Sequence, residues 1–451
     1  MHVPISTIAA QATPPGQGGV GIIRVSGPLS LTIAEQLLKS KPRARYAQYG
    51  PFYASDNIID PIIDKGIALF FPGPHSFTGE DVLELQAHGG QIILDELLKQ
   101  VLSHGAILAE PGEFTKRAFL NGKIDLTQAE AIADLIAANS TQAARAAMQS
   151  LQGAFATKIN QLVNETLELR KFVEAALDFP DEEIDFLQES HVQQQLQELI
   201  TQVEEIQKTA QQGALLQAGM TVVIAGLPNA GKSSLLNCLA GKETAIVTDV
   251  AGTTRDILRE HIHIDGLPLH IVDTAGLHIN ADKVEQEGIR RALAQIAQAD
   301  RVLLVVDSTK MASNDPHNLW PHDIGPCPDL NKITLIRNKI DLKPDLPTDT
   351  TTCPIIDISA QTEVGIDQLR THLKQCMGYE GTTESQFSAR SRHLDALKRA
   401  LSALHHGYDQ LTCYNAAELL AQELREAHEA LAEITGKFTA DDLLGEIFSS
   451  F

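Results

Sequence analysis

The chain has no apolar run that approaches the ~20 residues a membrane-crossing helix requires, which excludes a membrane span. It begins Met1-His2-Val3-Pro4-Ile5, without the basic segment and apolar stretch of a secretory leader, so none is expected. Cysteine is scarce: Cys238, Cys327, Cys353, Cys376 and Cys413 lie far apart, and no Cys-x-x-Cys pair occurs. That spacing argues against a zinc site and for a reducing, cytoplasmic setting. Positive charge is short as well. Lys and Arg number 36 against 58 Asp and Glu, a net charge of −22, and most of the excess falls in residues 121–215 and 379–451. An acidic scaffold of this kind does not bind nucleic acid by bulk electrostatics, so any RNA contact needs a local basic patch or a partner.

What is present describes an ordinary globular protein, 43% hydrophobic and 21% charged, whose 451 residues are too many for one core. The first 120 residues alternate short apolar runs with turn signals. Ile5–Ala10, Gly19–Ser26, Lys65–Phe71 and Asp81–Gln86 read as strands, Ser30–Ser40 and Gln91–Ser103 as helices, and together they predict an α+β domain. Arg24 falls inside the apolar run Val20–Val25, Glu84 inside Val82–Leu85, and Lys123 follows Asn121-Gly122. Each is either a surface charge or internal ion pair, or a contact for a ligand; the residues alone leave both readings open.

From Thr127 to Ala176 the pattern is helical with only Gly153 interrupting, and Ala129, Ile132, Leu135 and Ile136 form a stripe that Ile159, Leu162, Val163, Leu167 and Leu169 continue. The acidic Phe179–Phe186 segment breaks it, as a capped helix junction or as a cation site. Val192, Leu196, Leu199, Ile200, Val203 and Ile206 mark a further helix. Helical stripes return after residue 378, first Leu394, Leu397, Leu401 and Leu404, then Leu419, Leu420, Leu424, Ala427, Leu431 and Ile434. Neither helical half has a partner of its own. Residues 121–215 and 379–451 are therefore expected to form one all-α domain, with 216–378 inserted between them.

The insert opens on a phosphate-binding loop, Gly226-Leu227-Pro228-Asn229-Ala230-Gly231-Lys232-Ser233-Ser234, after the β-branched run Met220–Ala225 and before a helix. Its glycines let successive N–H groups turn onto an anion, Lys232 reaches the β- and γ-phosphates, and the Ser233 hydroxyl ligates Mg²⁺. A Gly-rich turn with an incidental Lys-Ser is the alternative, and four further motifs in order set it aside. Asp249-Val250-Ala251-Gly252-Thr253-Thr254 carries a switch Thr for Mg²⁺ and the γ-phosphate. Asp273-Thr274-Ala275-Gly276 ends a strand, with Asp273 holding Mg²⁺ through water and the Gly276 N–H sensing the γ-phosphate. Asn338-Lys339-Ile340-Asp341 selects guanine, because the Asp341 carboxylate accepts two N–H bonds that adenine does not offer. Ser359-Ala360 adds the last base contact. The expected fold is a Ras-like, doubly wound α/β sheet with nucleotide at the carboxyl ends of its strands.

A Ras-like protein carries a water-orienting Gln after Asp-x-x-Gly; here that position is Leu277, which forms no hydrogen bond. Glu285 is near enough in sequence to replace it, or is a solvated helix-start carboxylate. Asn229, with carbonyls of the following loop, is placed to hold a monovalent cation beside the phosphates.

At these motifs the chain resembles the MnmE (TrmE) family of tRNA uridine 5-carboxymethylaminomethyl modification GTPases. The likeness extends to Ala12-Thr13-Pro14-Pro15-Gly16, Ser76-Phe77-Thr78-Gly79-Glu80-Asp81, His88-Gly89-Gly90, Pro111-Gly112-Glu113-Phe114, the Asp178–Phe186 stretch and Asp441-Asp442-Leu443-Leu444. The resemblance implies an N-terminal domain that binds 5,10-methylene- or 5-formyl-tetrahydrofolate and forms a homodimer, with Arg24, Glu84 and Lys123 at the folate-contacting positions. It implies a K⁺-dependent GTPase in which Asn229, Thr248, Val250 and Thr253 match the K⁺ ligands. Ser233 and Thr254 match the Mg²⁺ ligands and Glu285 the water-orienting glutamate, with Lys232, Thr254 and Gly276 completing the catalytic set. It further implies a heterotetramer with the FAD-dependent MnmG (GidA) protein that modifies the wobble uridine of certain tRNAs. The family ends in a Cys-x-Gly-Lys tail whose Cys the modification needs, and this sequence stops at Phe451, where the tail would begin. An RNA-binding switch or ribosome-assembly factor that uses GTP as a timer is the competing reading. The first 120 residues discriminate, since a timer has no use for a folate site.

Overall fold

The computed structural model describes residues 6–54, 62–138, 140–178, 189–240, 259–264, 267–273, 296–311, 313–321, 326–342, 353–378, 387–414 and 416–436. The chain divides into two compact units, Met1–Ala133 with Leu431–Phe451, and Asp134–Ala430.

In the first unit the order is β1 (Ile8–Gln11), β2 (Gly18–Ser26), α1 (Ser30–Leu38), β3 (Gln48–Tyr53), β4 (Ile62–Phe71), β5 (Val82–Gly89), α2 (Gln91–Ser103), β6 (Ile107–Leu108) and α3 (Glu113–Leu120). The sheet runs β3-β4-β5-β2-β1-β6, antiparallel except where β6 joins β1. Side chains alternate across a strand, so Ile23 and Val25 of β2 and Leu83, Leu85 and Ala87 of β5 share one buried face with Ile33 and Leu37 of α1 and Leu94, Leu97 and Val101 of α2. Arg24 and Glu84 fall on the opposite face by the same alternation. Sequence periodicity missed β3, whose Gly50-Pro51 pair interrupts a strand pattern, and β6, which is two residues long.

The second unit contains α5 (Thr141–Leu151), α6 (Ala154–Asp178) and α7 (Glu189–Ala218), preceded by α4 (Leu126–Ala137), which spans the division between units. The helical run expected to break only at Gly153 also breaks before α5, where the Ser140 hydroxyl caps the helix by accepting from the Ala143 N–H at 3.1 Å. Ile136, expected in the buried stripe, is 79% exposed. The α7 stripe is as its spacing predicts, with Val192, Leu196, Leu199, Ile200, Val203 and Ile206 all buried.

The second sheet follows: β7 (Met220–Ala225), α8 (Lys232–Ala240), β8 (Arg259–Ile264), β9 (Leu267–Asp273), β10 (Arg301–Asp307), α9 (Pro316–Leu319), β11 (Ile333–Asn338), β12 (Ile355–Asp357) and α10 (Ile366–Met377). Its order is β12-β11-β10-β7-β9-β8, parallel except for the β8 edge. Apolar residues cover both faces. Val222, Ile224, Leu303 and Ile336 pack with α8 and α10 on one side, while Val223, Leu304 and Leu335 pack with Trp320 on the other. This is the doubly wound sheet expected of 216–378. The strand order reverses at β7, where a parallel α/β sheet opens a crevice for ligand.

The chain returns through α11 (Ser391–Tyr414) and α12 (Ala417–Thr435). Small residues Ala396, Ala400, Ala403 and Gly407 join Leu397, Leu404 and Leu411 on the buried side of α11. Leu420, Leu424, Ala427, Leu431 and Ile434 are buried on α12, but Leu419 of the predicted stripe is 48% exposed. Among the described residues, no helix is long and apolar enough to cross a membrane.

Candidate nucleotide site and N-terminal ligand cluster

The loop after β7 is built for close approach. Gly226 has φ +146°, and a Cβ there would lie 2.2 Å from the Val305 carbonyl oxygen of β10, so only glycine fits. Gly231, at φ +96°, would place a Cβ 2.2 Å from Asn338 Nδ2. Between them Asn229 is left-handed at φ 62°, an uncommon state for a residue with a side chain. Helix α8 starts at Lys232, with Leu235 N–H donating to the Gly231 oxygen at 2.9 Å. The Lys232 side chain is buried and folds back into the loop, its Nζ donating to the oxygens of Gly226 at 2.8 Å and Leu227 at 3.0 Å. Ser233 and Ser234 are exposed on the first turn of the helix.

The base-side loops converge on the same place. Asn338, buried at the end of β11, donates from Nδ2 to the Ala230 oxygen at 2.9 Å, while its Oδ1 accepts from the N–H groups of Lys339 at 2.8 Å and Ala360 at 3.0 Å. One side chain thereby joins the candidate phosphate loop to both candidate base-contacting loops. Lys339 Nζ donates to the Asn229 oxygen at 2.9 Å and to Asp307 Oδ2 at 2.7 Å. The Ile358 N–H donates to the Arg337 oxygen at 2.9 Å, which keeps the two base-side loops adjacent. Cys238 of α8 donates its thiol to the Ala360 oxygen at 3.0 Å, and burial, with Glu363 nearby, pushes that thiol's pKa up. Ser359 is buried and Asp341 exposed. The structure thus brings together Asn229–Ser234, Asn338–Asp341 and Ser359-Ala360. Asp273 ends β9 in register with Ile224 of β7. The remaining candidates, Thr248, Asp249, Val250, Ala251, Gly252, Thr253, Thr254, Thr274, Ala275, Gly276 and Glu285, lie outside the described residues. Asp307 is the last residue of β10, and a lone acid at a strand end carries no sequence signal of a site.

In the N-terminal unit, Arg24 pairs with Glu84 across β2 and β5, Nη2 lying 2.8 Å from Oε1. The Arg24 guanidinium also lies over two rings, 5.7 Å from the centroid of Phe77 and 5.8 Å from that of Phe114. Lys123 is held against the Phe77 loop from the other end, its Nζ donating to the Pro74 oxygen at 3.0 Å. All three sequence candidates therefore touch the segment between β4 and β5, or a residue that does.

Two family models match the chain: the GTP-binding protein TrmE N-terminus over residues 7–123 and the MnmE helical domain over residues 126–451. The protein named tRNA modification GTPase MnmE from Stutzerimonas stutzeri (strain A1501) is 58% identical over 448 residues, covering 99% of this chain and 98% of its own length. The protein of the same name from Proteus mirabilis (strain HI4320) is also 58% identical over 448 residues, with the same two coverages. The chain belongs to the MnmE family. Among solved structures, the G domain of the T. maritima FeoB iron transporter aligns at 22% identity over 35% of this chain and 98% of its own, with a TM-score of 0.27, too low to bear on the reading.

Within the stretch that matches the TrmE N-terminal model, the structure adds a residue that the MnmE resemblance did not single out. Arg117 of α3 is 1% exposed, and its guanidinium donates to Glu80, to Glu113 and to the Ser6 oxygen. Glu80 also accepts from the Ser26 hydroxyl at 2.7 Å, and Asn121 Nδ2 donates to the Thr78 oxygen at 2.7 Å. These bonds fasten the loop that carries Phe77 to the sheet and to the helix that carries Phe114. From sequence, Arg117 sits in an unremarkable Thr-Lys-Arg run; only its burial shows the role.

Proposed function

We propose that this chain hydrolyses GTP to GDP and phosphate in a potassium-dependent cycle. With an FAD-dependent partner, that cycle drives addition of a carboxymethylaminomethyl group to C5 of the wobble uridine of certain tRNAs. The coarser part, a GTP hydrolase of tRNA modification, is what the family and its relatives carry. The observation that best supports a guanine-nucleotide site is the Asn338 side chain, bonded at once to Ala230, Lys339 and Ala360. A phosphate loop and a guanine-reading loop clipped together at one buried residue serve a ligand that has both a phosphate chain and a base.

The roles follow from the donor set. Lys232 now bonds two neutral carbonyls, and would exchange them for phosphate oxygens, where charge-assisted bonds are roughly twice as strong. Ser233, exposed at the start of α8, would offer its hydroxyl to Mg²⁺, and the helix terminus adds its dipole. The metal's chemistry is to neutralise charge that builds on the phosphate oxygens. Asn229 would supply one ligand to K⁺, with Thr248, Val250 and Thr253; Thr254 and Gly276 would attend the γ-phosphate, and Glu285 would orient the attacking water in place of the usual Gln.

The cluster of Arg24, Glu84 and Lys123 with Phe77 and Phe114 fits a tetrahydrofolate. Rings stack on a flat heterocycle, a carboxylate accepts its N–H groups, and cations meet an acidic tail. Bound, that cofactor would supply a one-carbon unit. The proposed working parts are 1–120 for folate and homodimer formation, 121–215 with 379–451 as the helical scaffold, and 216–378 as the motor. Contacts between the two scaffold segments support this division: Phe155 stacks on Phe387 with centroids 4.4 Å apart, and Gln193 donates to the Tyr408 hydroxyl at 3.0 Å.

Exchange of Asp341 for Asn tests the nucleotide assignment. An amide replaces an acceptor with a donor, so guanine loses its partner and xanthine, with an oxygen at that position, gains one. Titration with fluorescent nucleotides should show GDP weakened by at least tenfold and xanthosine diphosphate strengthened. Unchanged selectivity would overturn the guanine reading.

A further inference from the structure

Two consecutive side chains of the guanine-reading loop hold two consecutive carbonyls of the phosphate loop: Asn338 holds Ala230, and Lys339 holds Asn229. The two clips differ in how they are themselves held. Asn338 is buried at the end of β11, its Oδ1 held by the N–H groups of Lys339 and Ala360. Lys339 has a flexible four-carbon stem, and its side chain is 31% exposed. What fixes it is Asp307, at the end of the neighbouring strand β10, 2.7 Å from the ammonium. The Asp307 carboxylate is itself fixed. Its other oxygen accepts from the Thr309 N–H at 3.0 Å and the Thr309 hydroxyl at 2.6 Å, as the cap of the short Ser308–Lys310 turn. Both residues spanned by the brace are left-handed without being glycine, Asn229 at φ 62° and Lys339 at φ 65°. Such conformations persist only where surrounding contacts over-determine them.

We propose that Asp307 is a positioning residue for nucleotide binding, holding Lys339 as a brace that fixes the phosphate loop at Asn229. Thr309 orients Asp307, Asp307 holds Lys339, and Lys339 holds the Asn229 carbonyl. The left-handed turn that aims the loop toward a phosphate chain is thereby secured from the base side. The ion pair also keeps the Lys339 charge at the base end of the site and leaves Lys232 as the phosphate-facing cation. This rests on the guanine-nucleotide reading given above.

The test is a double-mutant cycle on the full chain, with the GDP dissociation constant measured by fluorescent-nucleotide titration in Mg²⁺ and K⁺. Asp307→Ala and Lys339→Met should each weaken GDP by about tenfold, and the double variant by no more than about twofold beyond the weaker single, because both remove the same brace. Asp307→Glu should restore part of the affinity. In GTP turnover the loss should fall mainly on KM. A change confined to stability would instead lower the melting temperature and leave KM and GDP affinity where they were. Additive losses, or Asp307→Ala binding GDP as wild type does, would overturn the proposal. So would tighter binding, which would mean that Asp307 restrains Lys339 from the phosphates. Failure of wild type to bind GDP would sink the nucleotide reading and this proposal with it, and so is told apart from failure of the brace alone.

Discussion

Arg24 and Glu84 stand directly opposite each other in the β2–β5 register, and their side chains close an ion pair at 2.8 Å on the sheet face opposite the core shared with α1 and α2. Cross-strand pairs of opposite charge contribute only a few tenths to about 1 kcal/mol, and Arg24 is 30% exposed. Stability alone gives little reason to set this arginine over two phenyl rings. Arg24→Ala should leave the unfolding transition nearly unchanged and abolish calorimetric binding of 5-formyltetrahydrofolate. Equal heats from wild type and variant would remove the N-terminal cluster from the cofactor reading.

Arg117 presents the opposite balance. Its charge is almost wholly withdrawn from water and met by the carboxylates of Glu80 and Glu113. Removing one member of a buried ion network strands the others and costs about 3–5 kcal/mol. Arg117→Met should therefore lower the protection of β2 and β5 amides in hydrogen exchange by a corresponding amount, and adding Glu80→Gln should recover part of the loss. Wild-type protection in Arg117→Met would show that the network contributes nothing net.

Asp64 links acid stability to one named contact. Burial pushes its pKa up, but the His88 N–H at 2.7 Å, the His88 ring at 2.8 Å and the Lys65 amide more than offset this and hold it below the ordinary carboxylate value. A carboxyl lowered in the folded state contributes stability that is complete above its unfolded value, about 3.9, and is lost as pH falls through the folded value. Asp64→Asn should thus be less stable than wild type at pH 6, and the gap should close as acid is added below about pH 4. A gap that stays constant down to pH 2 would assign the effect to packing.

Turnover should depend on Glu285 and on the monovalent cation together. Glu285→Ala is expected to bind GDP as wild type does and to lose about 10²–10⁴-fold in kcat, the range for a group that acts on the transferred proton or its water. Replacing K⁺ by Na⁺ should also cut wild-type turnover sharply. Full activity of the variant would return Glu285 to a solvated carboxylate, and equal rates in the two salts would remove K⁺ from the cycle.

Much of this molecule is legible before folding is considered. The five nucleotide motifs, the amphipathic stripe of α7 and the alternation of β2 and β5 are local patterns, each set by backbone geometry within a few residues. Local pattern was weaker at edges and breaks. It missed β3, placed Ile136 and Leu419 in stripes they do not join, and did not see Ser140 cap the start of α5.

The residue types of the candidate nucleotide site are legible in the sequence itself, because a phosphate chain and a guanine each demand particular donors at particular spacings. The tertiary structure decided what braces those donors. Asp307, Lys339 and Asn229 are separated by 32 and 110 positions along the chain, and Arg117 lies 37 from Glu80. Contacts that distant depend on which strands end beside one another, and strand order is a property of the folded sheet that no local spacing encodes.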